Sequence, residues 1–429
     1  MAGWIVIALL VLVFASIPVA AVLGVLSLSL DQVYMDGRLA AAIGEFTWDK
    51  SKEFVLVAVP MFILLGEIML RAGIAQRMYN AVIQWLSWLP GGLMHANIGS
   101  CAIFAASSGS SVATAATVGT VAYPEMGKRS YNERLFLGSL AAGGTLGILI
   151  PPSINLIIYG LITDTSVPEL YLAGIVPGAM LALLFMGAIV IACLARKGWG
   201  GTKVQTSWVE RIKVLPDLVP PLLLFAVVVG SIYAGVATPT EAASVGVVFA
   251  LILAAWKRRL TISMLREAFE GTMRTTAMIM LIILAAVFLN FVLGFIGVTQ
   301  ALLQVISDLG LTPLQTMILL VIFYLILGMF METLSMLLTT IPIVFPIVVQ
   351  LGYDPVWFGI LVTVLMEAAL ITPPIGVNLY VVQGIRADGG RFNDVAYGAL
   401  PFVVMMIVMV ALLIGFPQLA LYLPTEVYR

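Results

Sequence analysis

Long apolar runs alternate with short polar segments along almost the whole chain. A helix needs about 20 consecutive apolar residues to cross the hydrocarbon core of a bilayer. Nine runs approach that length, and we predict transmembrane helices over residues 4–30, 54–70, 135–162, 170–195, 216–236, 239–257, 273–297, 356–385 and 396–423. The pattern therefore predicts an all-α polytopic membrane protein.

Two further apolar regions, 91–123 and 313–350, fit single transmembrane helices badly. The first is interrupted by the serine- and glycine-rich residues 107–111, and the second by the polar residues 332–335. An interruption in the middle of an apolar region suits a chain that turns back inside the membrane. We predict two re-entrant helical hairpins, each entering and leaving on one face.

The composition narrows the class of function. Of the 429 residues, 62% are apolar and 10% are charged, whereas soluble domains carry about 25% charged residues. So few charges cannot cover soluble domains, which excludes a soluble enzyme and a disordered protein. The formal net charge of −1 leaves no electrostatic footprint for nucleic acid. His95 is the only histidine, which argues against a histidine-based metal site.

The basic residues predict the orientation of the chain. Seventeen of the 21 basic residues fall in segments that share one side of the predicted topology. The other four are Arg38, Lys50, Lys52 and Arg429. Because Lys and Arg accumulate in cytoplasmic loops, we predict a cytoplasmic N-terminus and a C-terminus on the outside.

The two halves of the chain show weak internal similarity at a nearly constant offset. The hairpin tips at Ser108 and Glu332 lie 224 residues apart. The double prolines at 151–152 and 373–374 lie 222 residues apart. Because the linking span 216–236 inverts the second half, the pattern predicts an inverted repeat, which is typical of secondary transporters. Chance similarity among apolar segments is the alternative.

The repeat divides the chain into four predicted segments. Scaffold spans with a first arm helix occupy 1–90, and the first hairpin with transport-domain helices occupies 91–195. The linking span, further scaffold spans and a second arm helix occupy 196–312, and the second hairpin with its transport-domain helices occupies 313–429. The arms are the amphipathic stretches 74–89 and 299–309, which suit helices lying along the interface, as do residues 261–272. Ordinary polar loops are the alternative.

Two double prolines fall inside predicted spans, at 151–152 and at 373–374. Adjacent prolines remove two backbone donors and disfavour helix just before them. In lipid, a broken backbone is tolerated only where it is buried in protein or lines a cavity. We therefore predict functional breaks near residues 147–153 and at the matching place in the second half. Simple kinks are the alternative.

Small and hydroxyl side chains at the hairpin tips face the two broken helices. Freed carbonyls with hydroxyls suit Na⁺, and the helix N-termini that restart after each break suit an anionic group. The candidate sodium ligands at the first tip are Ser107, Ser108, Ser110 and Ser111. The candidate substrate ligands are Ser153, Asn155, Thr333, Ser335 and Asn378. Two pseudo-symmetric clusters predict at least two Na⁺ per cycle, unless the serines only bond helix carbonyls.

Four glutamates fall within or beside the predicted spans: Glu67, Glu241, Glu332 and Glu367. Carboxylates inside a membrane are candidates for function. Glu332 stands at a hairpin tip, where it would bind a cation, carry a proton or hydrogen-bond the tip, and all three interpretations stay open. The chain has no Walker motif, so ATP is not the direct fuel.

Two stretches carry a resemblance to a known family, AASSGSSVATAATVG at 105–119 and GILIPPS at 147–153. They resemble the large membrane subunit (M subunit) of tripartite ATP-independent periplasmic (TRAP) transporters, and the likeness extends over essentially the whole chain. The resemblance implies an elevator-type transporter similar to the divalent anion/sodium symporters, located in a bacterial cytoplasmic (inner) membrane.

The resemblance also implies ligands and partners. One sodium site would use the first hairpin tip with Gly147, Ile150 and Pro152. Another would use Gly328, Thr372 and Ile375. The implied partners are a small four-helix membrane subunit (Q subunit) and a periplasmic substrate-binding protein (P subunit). The substrate would be an organic anion such as a C4-dicarboxylate, a sialic acid or another carboxylate or sulfonate.

Two rival functions remain at this point. A stand-alone sodium/dicarboxylate symporter of similar fold would need no binding protein. A channel or scaffold subunit would give flux without saturation or sodium dependence.

Overall fold

The structure, a computed structural model, describes residues 17–202 and 206–428. Within these residues the regular elements are helices, apart from an isolated bridge between Tyr131 and Gly200. The predicted all-α class is confirmed. Residues 4–16 of the first predicted span lie outside the described residues, and the region that follows forms a helix over Val19–Met35.

The helices are numbered here in chain order. The first group comprises α1 (Val19–Met35), α2 (Ile43–Ser51), α3 (Ala58–Arg71), α4 (Ile74–Leu86), α5 (Leu93–Ser108), α6 (Ser111–Gly127), α7 (Glu133–Leu149), α8 (Ile154–Thr163) and α9 (Val167–Ala195). The second group begins with α10 (Trp208–Lys213), α11 (Val219–Tyr233), α12 (Pro239–Trp256), α13 (Ile262–Phe295), α14 (Val298–Asp308) and α15 (Pro313–Gly328). It continues with α16 (Thr333–Gln350), α17 (Pro355–Leu370), α18 (Val377–Ile385), α19 (Phe392–Gly415) and α20 (Gln418–Tyr428).

Six helical segments of the described chain are long and apolar enough to cross a membrane. They are α3 with the 3₁₀ turn before it (Phe54–Arg71), α9, α12, α13, α16 and α19. Two bent pairs would each add one span. The α7–α8 pair is bent by 42°, and Trp208–Asp217 with α11 is bent by 47°. The prediction of a multi-pass helical membrane protein is therefore confirmed.

The predicted interruptions lie where the sequence indicated. The first hairpin region breaks between α5 and α6, and the second between α15 and α16. The double prolines separate α7 from α8 and α17 from α18. The two predicted arm stretches are helices α4 and α14.

One predicted interfacial helix is wrong. Residues 261–272 are not a separate element, because α13 runs without a break over 34 residues from Ile262 to Phe295. Thr261 caps the start of α13, and an ion pair between Arg266 and Glu270 supports its first turns. Charged residues in those turns do not end a helix when they pair at i,i+4 spacing.

The last predicted span, 396–423, is also wrong at its end. Helix α19 stops at Gly415, and α20 is a separate helix that starts at Gln418. Pro417 lies between them, and the residue before a proline is disfavoured in helical conformation. An apolar run alone gave no sign of this stop.

Two helices form the centre of the molecule. Every residue of α7 from Leu135 to Leu149 is buried, and so is every residue of α17 from Val356 to Leu370. A helix that is apolar all round is a buried helix. Helix α7 packs against α5, α6 and α19, and α17 packs against α15, α16 and α19. Helices α1, α3, α12 and α13 pack on one another as a second group.

A polar cluster ties the two halves together outside the apolar region. The Arg386 side chain is 2% exposed and contacts the carboxylates of Glu133, Asp388 and Asp394. Its hydrogen bond holds the pKa of the Asp388 carboxyl well below its usual range. The loop after α18 is thereby joined to the starts of α7 and α19.

Helices α7 and α19 cross in backbone contact at Gly138 and Gly398. A Cβ placed on Gly138 would lie 1.9 Å from the Gly398 carbonyl oxygen, and one placed on Gly398 would lie 1.8 Å from the Arg134 carbonyl oxygen. Small residues allow helices in membranes to approach this closely. The crossing therefore requires glycine on both helices.

The substitution Gly138→Ala tests this crossing. Overpacking should destabilise the protein by about 1–3 kcal/mol, measured as a lower thermal midpoint in detergent. Gly187→Ala on α9 is the matched control, because its Cβ would meet no atom within 4 Å, and its midpoint should not fall. Equal midpoints for the two variants would contradict the crossing.

Candidate functional site

A cavity of about 150 Å³ lies where the two hairpin tips meet helices α3 and α13. Its walls come from α3, α13, both tips, and the start of α8 after the first helix break. Polar groups on the wall are few. They are Glu67, Ser108, Ser110, Ser111, Asn155, Thr275, Glu332 and Thr333. The cavity combines apolar walls with a small number of polar groups, as ligand sites commonly do.

The first hairpin tip is a tight turn that points hydroxyls inward. Gly109 has φ +60°, in the left-handed region, and ends α5. Ser110 is the N-cap residue of α6, and its side chain accepts a hydrogen bond from the Ala113 N–H. The Ser108 hydroxyl lies 2.8 Å from the Thr114 hydroxyl. The side chain of Ser107 lies outside the described part of the chain.

The first tip touches the broken helix through its backbone. A Cβ placed on Gly147 would lie 2.6 Å from the carbonyl oxygen of Ser110. A Cβ placed on Gly109 would lie 3.0 Å from the carbonyl oxygen of Pro152. Glycine at these positions lets the tip and the break approach without a clash. The carbonyl oxygens of Ser110 and Pro152 therefore lie at the contact between tip and break.

The break itself runs from the end of α7 to the start of α8. Ile150 is in extended conformation, and the Pro151–Pro152 peptide is cis. Ser153 starts α8, where its side chain accepts from the Leu156 N–H. The Ser153 carbonyl accepts from the buried Tyr171 hydroxyl, at 3.4 Å.

The second tip has a glutamate where the first has a serine. Glu332 begins α16, and its carboxylate accepts from the backbone N–H of Ser335 at 3.1 Å. The hydroxyls of Thr333 and Ser335 also donate to this carboxylate, at 3.1 Å and 3.3 Å. Of the three interpretations left open by the sequence, the hydrogen bonds here match the structural one, in which Glu332 holds the tip.

The second break repeats the arrangement of the first. The Pro373–Pro374 peptide is cis, and the Thr372 hydroxyl donates to the Ala368 carbonyl at 2.6 Å. The Ile375 N–H donates to the Met329 carbonyl at 3.4 Å, which joins the break to the end of α15. Gly328, the last residue of α15, packs against α17, since a Cβ placed on it would lie 2.3 Å from the Ala369 Cβ.

The structure brings some predicted residues to the cavity and leaves others behind its wall. Ser108, Ser110, Ser111, Asn155 and Thr333 line it. The Asn155 side-chain nitrogen is buried without a hydrogen-bond partner. The predicted residues that are absent from its wall are Gly147, Ile150, Pro152, Ser153, Gly328, Ser335, Thr372, Ile375 and Asn378.

The four glutamates separate into different environments. Glu67 and Glu332 line the cavity. Glu241, which the sequence places beside a predicted span, is exposed and forms a capping box with Thr238 at the start of α12. Helix capping accounts for this position, since a Thr followed three residues later by Glu satisfies two free backbone donors.

Glu367 is fully buried in α17, and the Ser111 hydroxyl lies 2.9 Å from each of its two carboxylate oxygens. Ser111 belongs to the first hairpin, 256 residues away. Both residues are candidates in the sequence analysis, but no sequence pattern indicated the hydrogen bond between them.

The part of the wall that Gly66 on α3 and Ile279 on α13 contribute was not predicted. A Cβ placed on Gly66 would lie 3.1 Å from the Ser108 carbonyl oxygen, so α3 and the first tip touch here. An apolar helix with one small residue gives no sequence signal for such a contact.

The site has no arrangement for a transition metal. Within residues 17–202 and 206–428 no group of three or more His, Cys, Asp or Glu side chains is placed to hold an ion. The oxygens at the tips and breaks are hydroxyls, backbone carbonyls and the Glu332 carboxylate. Such hard oxygen donors fit cations of the alkali and alkaline-earth type.

A structural comparison gives the fold. The YdaH transporter of Alcanivorax borkumensis matches with a TM-score of 0.61 at 15% sequence identity, over 98% of this chain and 99% of that one. At this level of identity the likeness concerns the fold alone.

Several proteins of known sequence share more identity with this chain than the structural match does. The C4-dicarboxylate TRAP transporter large permease protein DctM of Pseudomonas aeruginosa is 35% identical over 88% of each chain. The ectoine permease TeaC of Halomonas elongata is 34% identical over 87% of each chain. The sialic acid permease SiaM of Vibrio cholerae is 34% identical over 86% of each chain.

These relatives are transporter permeases, so the prediction that the chain is not an enzyme is confirmed. The family described as "Tripartite ATP-independent periplasmic transporter, DctM component" matches residues 6–419. The match covers almost the whole chain, and it confirms the resemblance stated from residues 105–119 and 147–153. The chain belongs to the large permease (DctM) family of TRAP transporters.

Proposed function

We propose that the protein is the membrane permease for sodium-coupled secondary uptake of a carboxylate-bearing organic anion. The observation that carries the proposal is the cavity shared by both hairpin tips, the first helix break and the scaffold. Tips that bring hydroxyls and carbonyls together at a broken helix suit cations, and the helix start after the break suits an anion.

Sodium binds, in this proposal, at two places, one at the first tip and break beside the cavity and one at the second break. At the first, the carbonyls of Ser110 and Pro152 lie close to Gly147 and Gly109, with Ile150 on the extended segment between them. The hydroxyls of Ser107, Ser108, Ser110 and Ser111 would complete that site. The second would use Gly328, Thr372 and Ile375 at the second break. Two places of this kind support at least two Na⁺ per cycle.

The substrate would contact Asn155 and Thr333, which stand on the wall. The unpaired Asn155 amide is a donor available for a carboxylate oxygen. Ser153 and Ser335 lie next to tip and break as helix-start residues, and Asn378 bonds to α7. These three would position the wall. The relatives are named for C4-dicarboxylate, sialic acid and ectoine, so the family supports a small organic acid without choosing one.

The partners follow from the family. We propose that a periplasmic binding protein delivers the substrate and that a small four-helix membrane subunit completes the permease. The alternative is a stand-alone sodium/dicarboxylate symporter, which has the same ions but no need for a binding protein.

Uptake into proteoliposomes tests the proposal. The permease, reconstituted with its small subunit, should accumulate the substrate only with an inward sodium gradient and the binding protein present, and uptake should rise sigmoidally with sodium. Gly147→Ala should raise the sodium concentration for half-maximal uptake, because its methyl group would lie 2.6 Å from the Ser110 carbonyl oxygen. Gly187→Ala is the matched control.

Full uptake in potassium without sodium would contradict the proposal. Uptake with sodium but without binding protein would favour the stand-alone symporter. Flux that neither saturates nor depends on sodium would favour a channel.

The orientation is tested by thiol labelling. We propose a cytoplasmic N-terminus, a periplasmic C-terminus and a bacterial inner-membrane location. In a background without Cys101 and Cys193, Val236→Cys should react with an impermeant reagent in whole cells, because Val236 is 80% exposed in a loop proposed to be periplasmic. Lys128→Cys should react only after permeabilisation. The opposite pattern would overturn the inverted topology.

The cavity lies near the C-terminal end of α3 and the first half of α13. Glu67 and Leu70 lie in the last turns of α3, and Thr275 lies in the first half of α13. In the proposed orientation these are the cytoplasmic parts of both helices. The arrangement therefore supports an inward-facing state in an elevator cycle, in which residues 91–195 and 313–429 move against 1–90 and 196–312.

A disulfide between scaffold and tip tests the elevator. Gly66→Cys with Ser108→Cys joins two positions in direct contact, so oxidation should stop uptake and a reductant should restore it. Sodium binding should be equal in the oxidised and the reduced double variant, because the disulfide adds no further change of ligand and both proposed sodium sites lie within the moving part. Normal uptake by the oxidised protein would contradict an elevator and favour local gating.

A further inference from the structure

The buried carboxylate of Glu367 has an unusual set of partners. It is 0% exposed in the middle of α17. Its hydrogen-bonding partner is the Ser111 hydroxyl, at 2.9 Å from each carboxylate oxygen. No lysine or arginine among the described residues forms an ion pair with Glu367. An isolated buried charge of this kind is very costly.

Ser111 cannot satisfy this carboxylate alone. The same hydroxyl also faces the backbone carbonyl of Thr145, at 3.3 Å. A serine hydroxyl has one proton to donate, and here three acceptor oxygens surround it. With the carboxylate ionised, two of the three contacts are acceptor against acceptor, and the cluster then lacks positive charge.

A fourth acceptor lies one helical turn away. The Asn378 side chain donates to the Ala141 carbonyl at 3.2 Å, and its own oxygen is buried without a partner. Ala141 and Thr145 share one face of α7, since residues four apart are neighbours on a helix. This face of α7 therefore collects buried oxygens from the first hairpin, α17 and α18 without a matching set of donors.

We propose that Glu367, Ser111 and the Thr145 carbonyl form a further cation-binding position, taking Na⁺, and that the Ser111 hydroxyl serves this position instead of the first tip site. The inference rests on the proposed sodium coupling. A carboxylate, a hydroxyl and a carbonyl are hard oxygen ligands, and a monovalent cation supplies the charge that the cluster lacks. The proposed position joins Ser111 and Thr145 of the first half of the chain to Glu367 of the second.

The position has a structural consequence. Ser111 is the first residue of α6, directly after the tip residue Ser110, whose carbonyl lies against Gly147. A cation held by Glu367 would fix the start of α6 to α17 and so keep the first tip in place. Glu367 would thus bind one ion directly and position the neighbouring tip ligands.

Sodium binding to purified protein in nanodiscs tests the proposal. Radioactive sodium should bind to Glu367→Gln with one ion fewer per protein, or with half-saturation raised about 10-fold or more. Glu45→Gln, an exposed carboxylate on α2, is the matched control and should behave as wild type. Glutamine also mimics a protonated carboxyl group, so an acid held neutral by a proton predicts normal sodium binding in this variant.

These measurements distinguish failure of the Glu367 position from failure of the proposed sodium coupling. Wild-type ion number and half-saturation in Glu367→Gln would overturn the inference while leaving sodium coupling intact. A wild-type protein that binds no sodium would contradict the proposed function itself. If Glu367→Gln does not fold, Glu367→Asp retains the charge with a shorter reach. It should bind the full number of ions with a raised half-saturation, and an unchanged half-saturation would overturn the inference.

Discussion

The rest of the structure depends on the cost of leaving backbone polar groups unpaired in a hydrocarbon environment. Inside a membrane each such group must be bonded within the protein, yet this chain breaks its helices at two tips and at two double prolines. All four breaks are placed against other helices. The Ile375 N–H reaches the Met329 carbonyl, and the Ser153 carbonyl accepts from Tyr171. The fold is therefore built to bring each break into contact with a second interrupted element.

Helices α7 and α17 make this possible because they are buried on every side. Their neighbours bury the first break, whereas Pro374 and Ile375 at the second break are exposed. The Gly138–Gly398 crossing draws α19 onto α7. Close packing also explains the glycines around the tips. Gly147 and Gly109 leave room for carbonyl oxygens that any side chain would displace. Packing and the proposed ion sites thus depend on the same small residues, and a substitution there affects both.

The sequence predicted these breaks well because their causes are local. Double prolines end helices whatever surrounds them, and a run of serines and glycine turns a chain. The sequence failed where the cause was tertiary or electrostatic. Charged residues at 261–272 looked interfacial, but paired charges extend α13. Glu241 was a candidate for function beside a predicted span, but it caps a helix. The contact between Ser111 and Glu367 spans 256 residues, and no single-sequence pattern encodes a distance of that kind.

The two halves match in layout but differ in chemistry. The first tip begins its second helix with Ser110, a neutral cap, whereas the second begins with Glu332, whose carboxylate is occupied by Thr333 and Ser335. The first half supplies the larger share of the cavity wall and the unpaired amide of Asn155. An anion in the cavity, as proposed, would meet the Asn155 amide and the Glu67 carboxylate, which is paired with Arg71, on the first side. It would meet the Glu332 carboxylate on the second side. Symmetry of the backbone therefore does not make the site symmetric, and substrate charge would be balanced mainly from the first half.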